Sequence, residues 1–247
     1  MGGAFRVDRV VARVGPAASG AVTLNMTQKI KATRTQFQDT VINGDTAVDV
    51  DGFDGLDKAL TGTATEFRAG AVTDWSDFDA SARAEHKALD AIDEWLSLLD
   101  GSPTIILGNK RALARVRAAA RRAGMYTQNP LDGLLGPNGR PIVREQYGDI
   151  VFADPGDKAG SNTAIIPVEN RTVGGAAATG LTDLYAYRVG LDGFFGVACM
   201  GGTVVRQWLP DFTSPGAVKF GEVELGPVAV ALKSTKAATV FRNIKVG

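Results

Sequence analysis

ALDAIDEWLSLLDGSPTIILGNKRALARVRAAARRAG, residues 88–124, is the stretch that decides the fold. It holds two helical patterns separated by a turn and a short apolar run. In the first pattern, apolar residues share one helix face up to Leu99, which predicts a helix over residues 80–99. Gly101, Ser102 and Pro103 end it, and they mark the strongest candidate for a domain boundary.

The second half of this stretch predicts a strand and a capped helix. Thr104–Leu107 reads TIIL, which is typical of a buried strand. Asn109 stands where a side chain can cap the next helix, predicted from Lys110 to about Ala123. The apolar face of that helix is small and aliphatic: Ala112, Leu113, Val116 and Ala120.

Upstream, another helical pattern spans Val22–Asn43 and ends at Gly44. Its apolar residues form one narrow stripe: Val22, Met26, Ile30, Phe37 and Val41. A stripe this narrow predicts a long helix that contacts its own domain along one line only.

The rest of the chain predicts scattered strands and loops. We expect strands near 5–14, 150–153, 164–168, 184–189, 204–209, 228–232 and 239–246, and irregular loops at 61–73, 128–141 and 169–180. Because strands and helices do not alternate regularly, the pattern indicates an α+β protein.

Composition excludes several classes of function. Lys plus Arg and Asp plus Glu both number 27, so no net charge draws the chain to DNA or to an anionic membrane. Cys199 is the single cysteine, which excludes an intrachain disulfide and a multi-cysteine metal site. No apolar run reaches about 18 residues, and the start lacks the apolar stretch of a secretory signal. We expect synthesis in a cytoplasm and no membrane partner.

No catalytic constellation stands out. His86 is the single histidine and lies on a helix flank, and no nucleophile elbow, Walker A loop or GxGxxG motif is present. An Asp-rich segment fails the calcium-loop pattern, since its twelfth position is Leu60 or Gly62 instead of a carboxylate. We expect no enzyme activity and no cofactor.

The helix after Asn109 is strongly basic and contains no acid. Its cations form two adjacent stripes opposite the apolar face: Lys110, Arg111, Arg115, Arg117, Arg121 and Arg122. Such a face is either simply solvated, or it meets an acidic neighbouring subunit or DNA.

Several stretches together resemble tailed-phage major capsid proteins with the Hong Kong 97-type fold, which encapsulins share. The stretches occur along the chain in the same order as in that family. Besides residues 88–124 they are KIKATRTQFQDTVINGD (29–45), FDGLDKALTGTATE (53–66), TDLYAYRVGLDGFFGV (182–197), VVRQWLPDF (204–212) and AATVFRNIKV (237–246). The resemblance covers most of the chain.

The resemblance implies an α+β capsid fold with a long spine helix, a peripheral domain and an axial domain. Residues 1–21 would be a remnant of an extended hairpin loop. Residues 22–101 would form the peripheral domain with its spine helix, 102–205 the axial domain, and 206–247 the last strands of the peripheral domain.

The implied function is a major capsid protein that self-assembles, as pentamers and hexamers, into an icosahedral head shell around double-stranded DNA. Portal, scaffold or decoration proteins would be further partners, packaged DNA would be touched non-specifically, and the location would be the virion. An encapsulin-type compartment shell and a soluble α+β enzyme remain as alternatives. Candidate inter-subunit contacts are charged residues on the basic helix and on an acidic segment: Lys110, Arg111, Arg117, Arg121, Asp74 and Asp77.

Two features depart from the family pattern. Only about 20 residues precede the long helix, so either the chain is a shortened form or its start lies elsewhere in the native gene. Some relatives join a hairpin lysine to a peripheral asparagine, but here no Lys precedes Lys29 and residues 204–239 contain no Asn. We predict no such isopeptide bond.

Overall fold

The computed structural model describes residues 1–10, 16–124, 128–135, 141–147, 150–161, 163–199 and 204–247. The α-helices in these ranges are α1 (Pro16–Asn43), α2 (Leu56–Leu60), α3 (Ala84–Leu96) and α4 (Lys110–Arg122). The strands are β1 (Gly2–Asp8), β2 (Glu66–Phe67), β3 (Thr73–Asp74), β4 (Ile105–Gly108), β5 (Gln128–Leu135), β6 (Pro141–Tyr147), β7 (Ile150–Ala153), β8 (Glu169–Val173), β9 (Ala176–Tyr187), β10 (Phe194–Ala198), β11 (Val205–Trp208), β12 (Val218–Leu225), β13 (Val228–Leu232) and β14 (Ala238–Lys245).

The main sheet has the order β2-β14-β9-β4-β7-β6-β5, with β3 beside β14 and β8 beside β9. Its central strands are buried on both faces. Because successive side chains point to opposite sides of the sheet, each strand contributes to the packing on both sides. In β9, Leu184 and Ala186 face the layer formed by α3 and α4, while Tyr185 faces the end of α1 and α2. The sheet therefore lies between two layers, each with its own apolar core.

A second sheet, β1-β12-β11, supports the first half of α1. Phe5 and Val7 of β1 and Val223 of β12 pack against Met26 of the helix. At its other end, α1 places Ile42 in the core below the main sheet. The long helix thus bridges two separate cores, which agrees with the narrow apolar stripe predicted for it.

The helices and central strands were largely predicted, with shifted ends. α1 begins at Pro16, six residues before Val22, and the predicted first strand is β1, although its residues 11–14 lie outside the described residues. Asn109 caps α4 as expected: its side-chain oxygen accepts a hydrogen bond from the Arg111 backbone N–H at 2.9 Å.

Four predictions of local structure were wrong. Residues 169–180 form a hairpin of β8 and β9 instead of a loop, because Gly174 and Gly175 take the positive φ angles of a tight turn. The loop predicted at 128–141 contains β5 and the first residue of β6 where the structure describes it. The loop predicted at 61–73 is interrupted by the short strands β2 and β3. Residues 164–168 form no strand, although Ile165 and Ile166 are buried.

The main sheet joins segments from both sides of the predicted domain boundaries. β14 lies beside β9, and α3 packs on α4 across the turn at 101–103. The division of the chain into peripheral and axial domains remains a prediction. No helix in the described ranges is long and apolar enough to cross a bilayer.

Candidate assembly surfaces

One face of the sheet β1-β12-β11 is covered by α1, and the opposite face is open. The strand register places Val218 and Phe220 of β12 on that open face, together with Trp208 of β11. Phe220 is 59% exposed and Trp208 is 46% exposed. The outward face of such an antiparallel sheet is ordinarily polar, so these aromatic residues mark a candidate interaction surface. We call this surface, Val218, Phe220 and Trp208, the apolar sheet face.

The charges beside the apolar sheet face have both signs. Arg6 of β1 is paired with Phe220 in the register, and its guanidinium lies 5.1 Å from the centre of the phenyl ring. Glu222 of β12 is paired with Trp208 on the other side. A surface that combines exposed aromatic rings with a cation and an anion can be complementary to another copy of itself.

The structure divides the cations of α4 between its two stripes. Arg122 makes a two-pronged ion pair with Asp79, at 2.6 and 3.1 Å, and Arg115 donates to the Val246 carbonyl at 3.4 Å. These residues share the stripe of Arg111, which therefore faces the chain's own acidic segment and last strand. In the other stripe, Lys110 lies 3.5 Å from Asp154, beyond β7.

The remaining cations of α4 differ in exposure. Arg121 is exposed and forms no ion pair with a described residue, whereas Arg117 is half-buried. Their roles as inter-subunit contacts remain predictions.

The acidic segment is used within the chain as well. Asp74 accepts hydrogen bonds from Ser76 and from Lys245, the latter at 3.0 Å. Partial burial alone would raise the pKa of Asp74, but these bonds outweigh it and hold the pKa below its ordinary value. Asp77 accepts from the Asp79 backbone N–H at 2.8 Å. The predicted pairing of this segment with α4 thus occurs inside one subunit at Asp79, and its occurrence between subunits remains a prediction.

Sequence reasoning missed a buried ion network centred on Arg242 of β14. Arg242 donates to Glu66 at 2.9 Å and to Asp183 at 3.2 Å, and it also bonds Asp57. Asp183, which is almost fully buried, accepts from Arg171 at 2.7 and 2.8 Å. The partners are far apart in the chain, so no local motif announces them. The network fixes α2, β2 and β8 to the two central strands β9 and β14.

The cavities of the described residues offer no arrangement typical of catalysis. A cavity of about 560 Å³ lies between α1 and the sheets, and its lining is mainly apolar, with Arg34 and Asp154 as its charged members. His86 lies exposed on α3, 3.8 Å from the carboxylate of Glu85, with no nucleophile among its described contacts. Lys58 bridges Asp45 and Asp54 of the Asp-rich loop at 2.5 and 2.9 Å, so this loop is held by an internal cation.

Comparison with known proteins gives structural matches only. No protein-family model matches the chain, and no curated protein sequence does. The holo-SrpI encapsulin complex from Synechococcus elongatus PCC 7942 matches all of the chain and 74% of its own, at a TM-score of 0.63 and 17% identity. A prophage protein of Escherichia coli CFT073, assigned as its capsid protein, matches all of the chain and 76% of its own, at a TM-score of 0.51 and 13% identity.

These likenesses extend over the whole length of the chain. The resemblance first indicated by the sequence is therefore confirmed at the level of the fold. The chain has the Hong Kong 97-type fold that phage capsid proteins and encapsulins share.

Proposed function

We propose that this chain is a shell subunit that assembles with copies of itself, and specifically the major capsid protein of a tailed-phage head. The observation that carries the proposal is the apolar sheet face, an uncovered aromatic surface on a fold shared with an encapsulin and with a protein assigned as a prophage capsid protein. An isolated soluble protein gains nothing from exposing Phe220 and Trp208 side by side, whereas a subunit covered by its neighbour does.

Self-assembly provides the energy that a single contact lacks. A standard protein interface buries about 1,600 Å² in total, and a shell subunit makes several such contacts at once. Because each further contact within a closed shell is made between partners already held together, modest interfaces sum to a stable particle. In that shell we assign residues 102–205 to the positions around the symmetry axes.

The first experiment is high-speed sedimentation of the expressed chain, followed by negative-stain imaging of the pellet. Closed shells of uniform diameter support the proposal, and a monomer at every concentration contradicts it. Acrylamide quenching adds a solution readout, because Trp75 and Trp95 are buried and Trp208 is the exposed tryptophan. We expect assembly to protect Trp208 from the quencher.

An encapsulin-type compartment is the second candidate, since the SrpI encapsulin matches the whole chain at a TM-score of 0.63. Both functions use the same shell and differ in its content. Particles purified from the native host and treated with nuclease distinguish them: protected double-stranded DNA supports the phage head, and a bound protein without DNA supports the compartment. A soluble enzyme, the remaining alternative, predicts neither particle.

A further inference from the structure

We propose that subunits join head to tail through the helix layer, the basic flank of α4 in one copy contacting the acidic flank of α3 in the next. This inference rests on the proposed function, because it names the surface by which shell subunits recognise each other. The observation behind it is that, within one chain, the basic flank of α4 and the acidic flank of α3 face in opposite directions.

The order of the elements places the two flanks on opposite sides. α3 packs over β14 and α4 over the neighbouring strand β9, and the two helices contact each other. The free side of α3 therefore looks toward β2 and β3. The free side of α4 looks toward β7, as the ion pair of Lys110 with Asp154 shows.

The free side of α4 is basic. Lys110, Arg117 and Arg121 fall within about 40° of one another at 100° per residue, in the stripe adjacent to the one that pairs with Asp79 and Val246. We call these three residues the outer basic row. Its two ends, Lys110 and Arg121, are exposed.

The free side of α3 presents two carboxylates. Asp90 and Glu94 stand one helical turn apart along a cleft of about 390 Å³ whose other charged members are Asp74, Lys87 and Arg68. Asp90 forms no ion pair with a described residue, and Glu94 has only a long contact of 3.7 Å with Arg68. We call Asp90 and Glu94 the outer acidic row. A long cationic side chain from a neighbouring copy can enter the cleft and bind both carboxylates.

The basic row is costly for the helix that carries it. Lys110 lies in the first turn of α4, where the helix dipole disfavours a cation, and Arg117 and Arg121 repel each other at i,i+4. Lys110 has Asp154 as a partner within the subunit, so the exposed Arg121 is the member of the row that a neighbouring copy can bind.

A second copy fits that partner better than nucleic acid does, because the chain supplies the complementary surface itself. Residues 44–101 carry fourteen acidic and four basic side chains, while residues 102–124 carry six basic and none acidic. Each copy has the outer basic row on one side and the outer acidic row on the other. Every copy can therefore bind one neighbour through each row. A contact of this kind repeats from subunit to subunit and closes into a ring when the rotation fits.

The test compares three variants of the whole chain at low and high salt. Arg121→Glu reverses a charge in the outer basic row. Arg111→Glu makes the same change on the same helix in the other stripe, so it serves as the matched control. Arg121→Glu combined with Asp90→Arg exchanges the two signs across the proposed contact. The readout is the protein concentration at which half of the chain sediments as particles.

We expect Arg121→Glu to raise this concentration at least about tenfold at low salt, because each subunit loses the contact on both flanks. Arg111→Glu should leave it within about twofold, and the exchanged variant should return close to the wild type. A folding defect at Arg121 would not be repaired by a change on α3, so the exchange keeps the test decisive.

Several results overturn the inference while leaving the shell function intact. They are equal effects of Arg121→Glu and Arg111→Glu, failure of the exchange, or normal assembly of Arg121→Glu with loss of DNA from the particles, which would assign the row to nucleic acid. Absence of particles in the wild type instead overturns the shell function itself, and the inference with it.

Discussion

Phe220→Ala should weaken assembly while leaving the isolated subunit unharmed. Phe220 is 59% exposed, and the guanidinium of Arg6 lies over its ring across the strand pair. An exposed cation–π contact contributes about 0.5–1 kcal/mol, so the free energy of unfolding of the unassembled chain should fall by no more than that.

The cost to assembly follows from the area that a neighbour can cover. An aromatic side chain buries about 150–250 Å², so roughly 90–150 Å² of Phe220 remains available to a partner. At about 25 cal/mol per Å² this corresponds to roughly 2–4 kcal/mol per subunit. Since alanine keeps its Cβ, we take the lower value of about 2 kcal/mol, which raises the concentration needed for assembly about thirtyfold.

Sedimentation across a concentration series measures this shift, and thermal unfolding of the unassembled chain checks the fold. Leu191→Ala is the control, because Leu191 is even more exposed but lies in the turn before β10, away from the apolar sheet face. The reasoning is refuted if Phe220→Ala and Leu191→Ala assemble at the same concentration as the wild type. It is refuted equally if Phe220→Ala lowers the melting temperature of the unassembled chain by as much as a core substitution does.

Three further predictions concern the stability of the subunit. Asp183→Ala leaves Arg171 and Arg242 without their shared buried carboxylate, and we expect a loss of about 3–5 kcal/mol in urea unfolding; a loss below 1 kcal/mol would contradict the network. Asn109→Ala removes both the α4 cap and the amide's bond to the Ile166 carbonyl, and we expect a loss of about 2–3 kcal/mol by the same assay; Asn109→Asp keeps the cap but turns a carboxylate oxygen toward that carbonyl, so it should recover only part of the loss. Burial raises the pKa of Tyr185 well above its ordinary value of 10.0. The folded state therefore favours the neutral phenol, so this contribution is present below pH 10 and is lost as the pH rises above it. Tyr185→Phe should flatten the decline of unfolding free energy with alkaline pH, and an unchanged slope would refute this.

The elements that could be predicted from the sequence are those whose signals are local. The cap at Asn109, most of the apolar face of α4 and the stripe on α1 are local signals, and the structure has them, with Ala119 in the core in place of the predicted Ala120. The hairpin of β8 and β9 was missed although its signal was also local. Gly174-Gly175 is a favourable pair for a two-residue turn, but its glycine-rich surroundings indicated a loop.

The segment at 164–168 was predicted as a strand because it is short and apolar. Its backbone is satisfied from elsewhere: Asn43 donates to the Ile165 carbonyl at 2.8 Å, and Asn109 donates to the Ile166 carbonyl at 2.7 Å. Side-chain amides thus take the place of a neighbouring strand, and they come from residues 57 or more positions away. No reading of local pattern can find such partners.

The candidate surfaces also depend on contacts between residues that are distant in the chain, which local sequence patterns do not reveal. The basic helix was evident from composition, but the division of its cations between two stripes depends on which stripe faces Asp79 and Val246. The apolar sheet face was not predicted at all. Phe220 and Trp208 lie on different strands, and only the pairing of β11 with β12 places both on one face.

The position of β14 sets an order of events during synthesis. This strand comes after every other strand of the main sheet, yet it lies between β2 and β9, and its Phe241 supports the rings of Trp75 and Trp95 beneath α3. A growing chain therefore cannot seat α3 until residues 238–245 have left the ribosome. In the proposed shell, a half-made polypeptide would therefore lack a seated α3, and the outer acidic row on that helix would become available only once synthesis is complete.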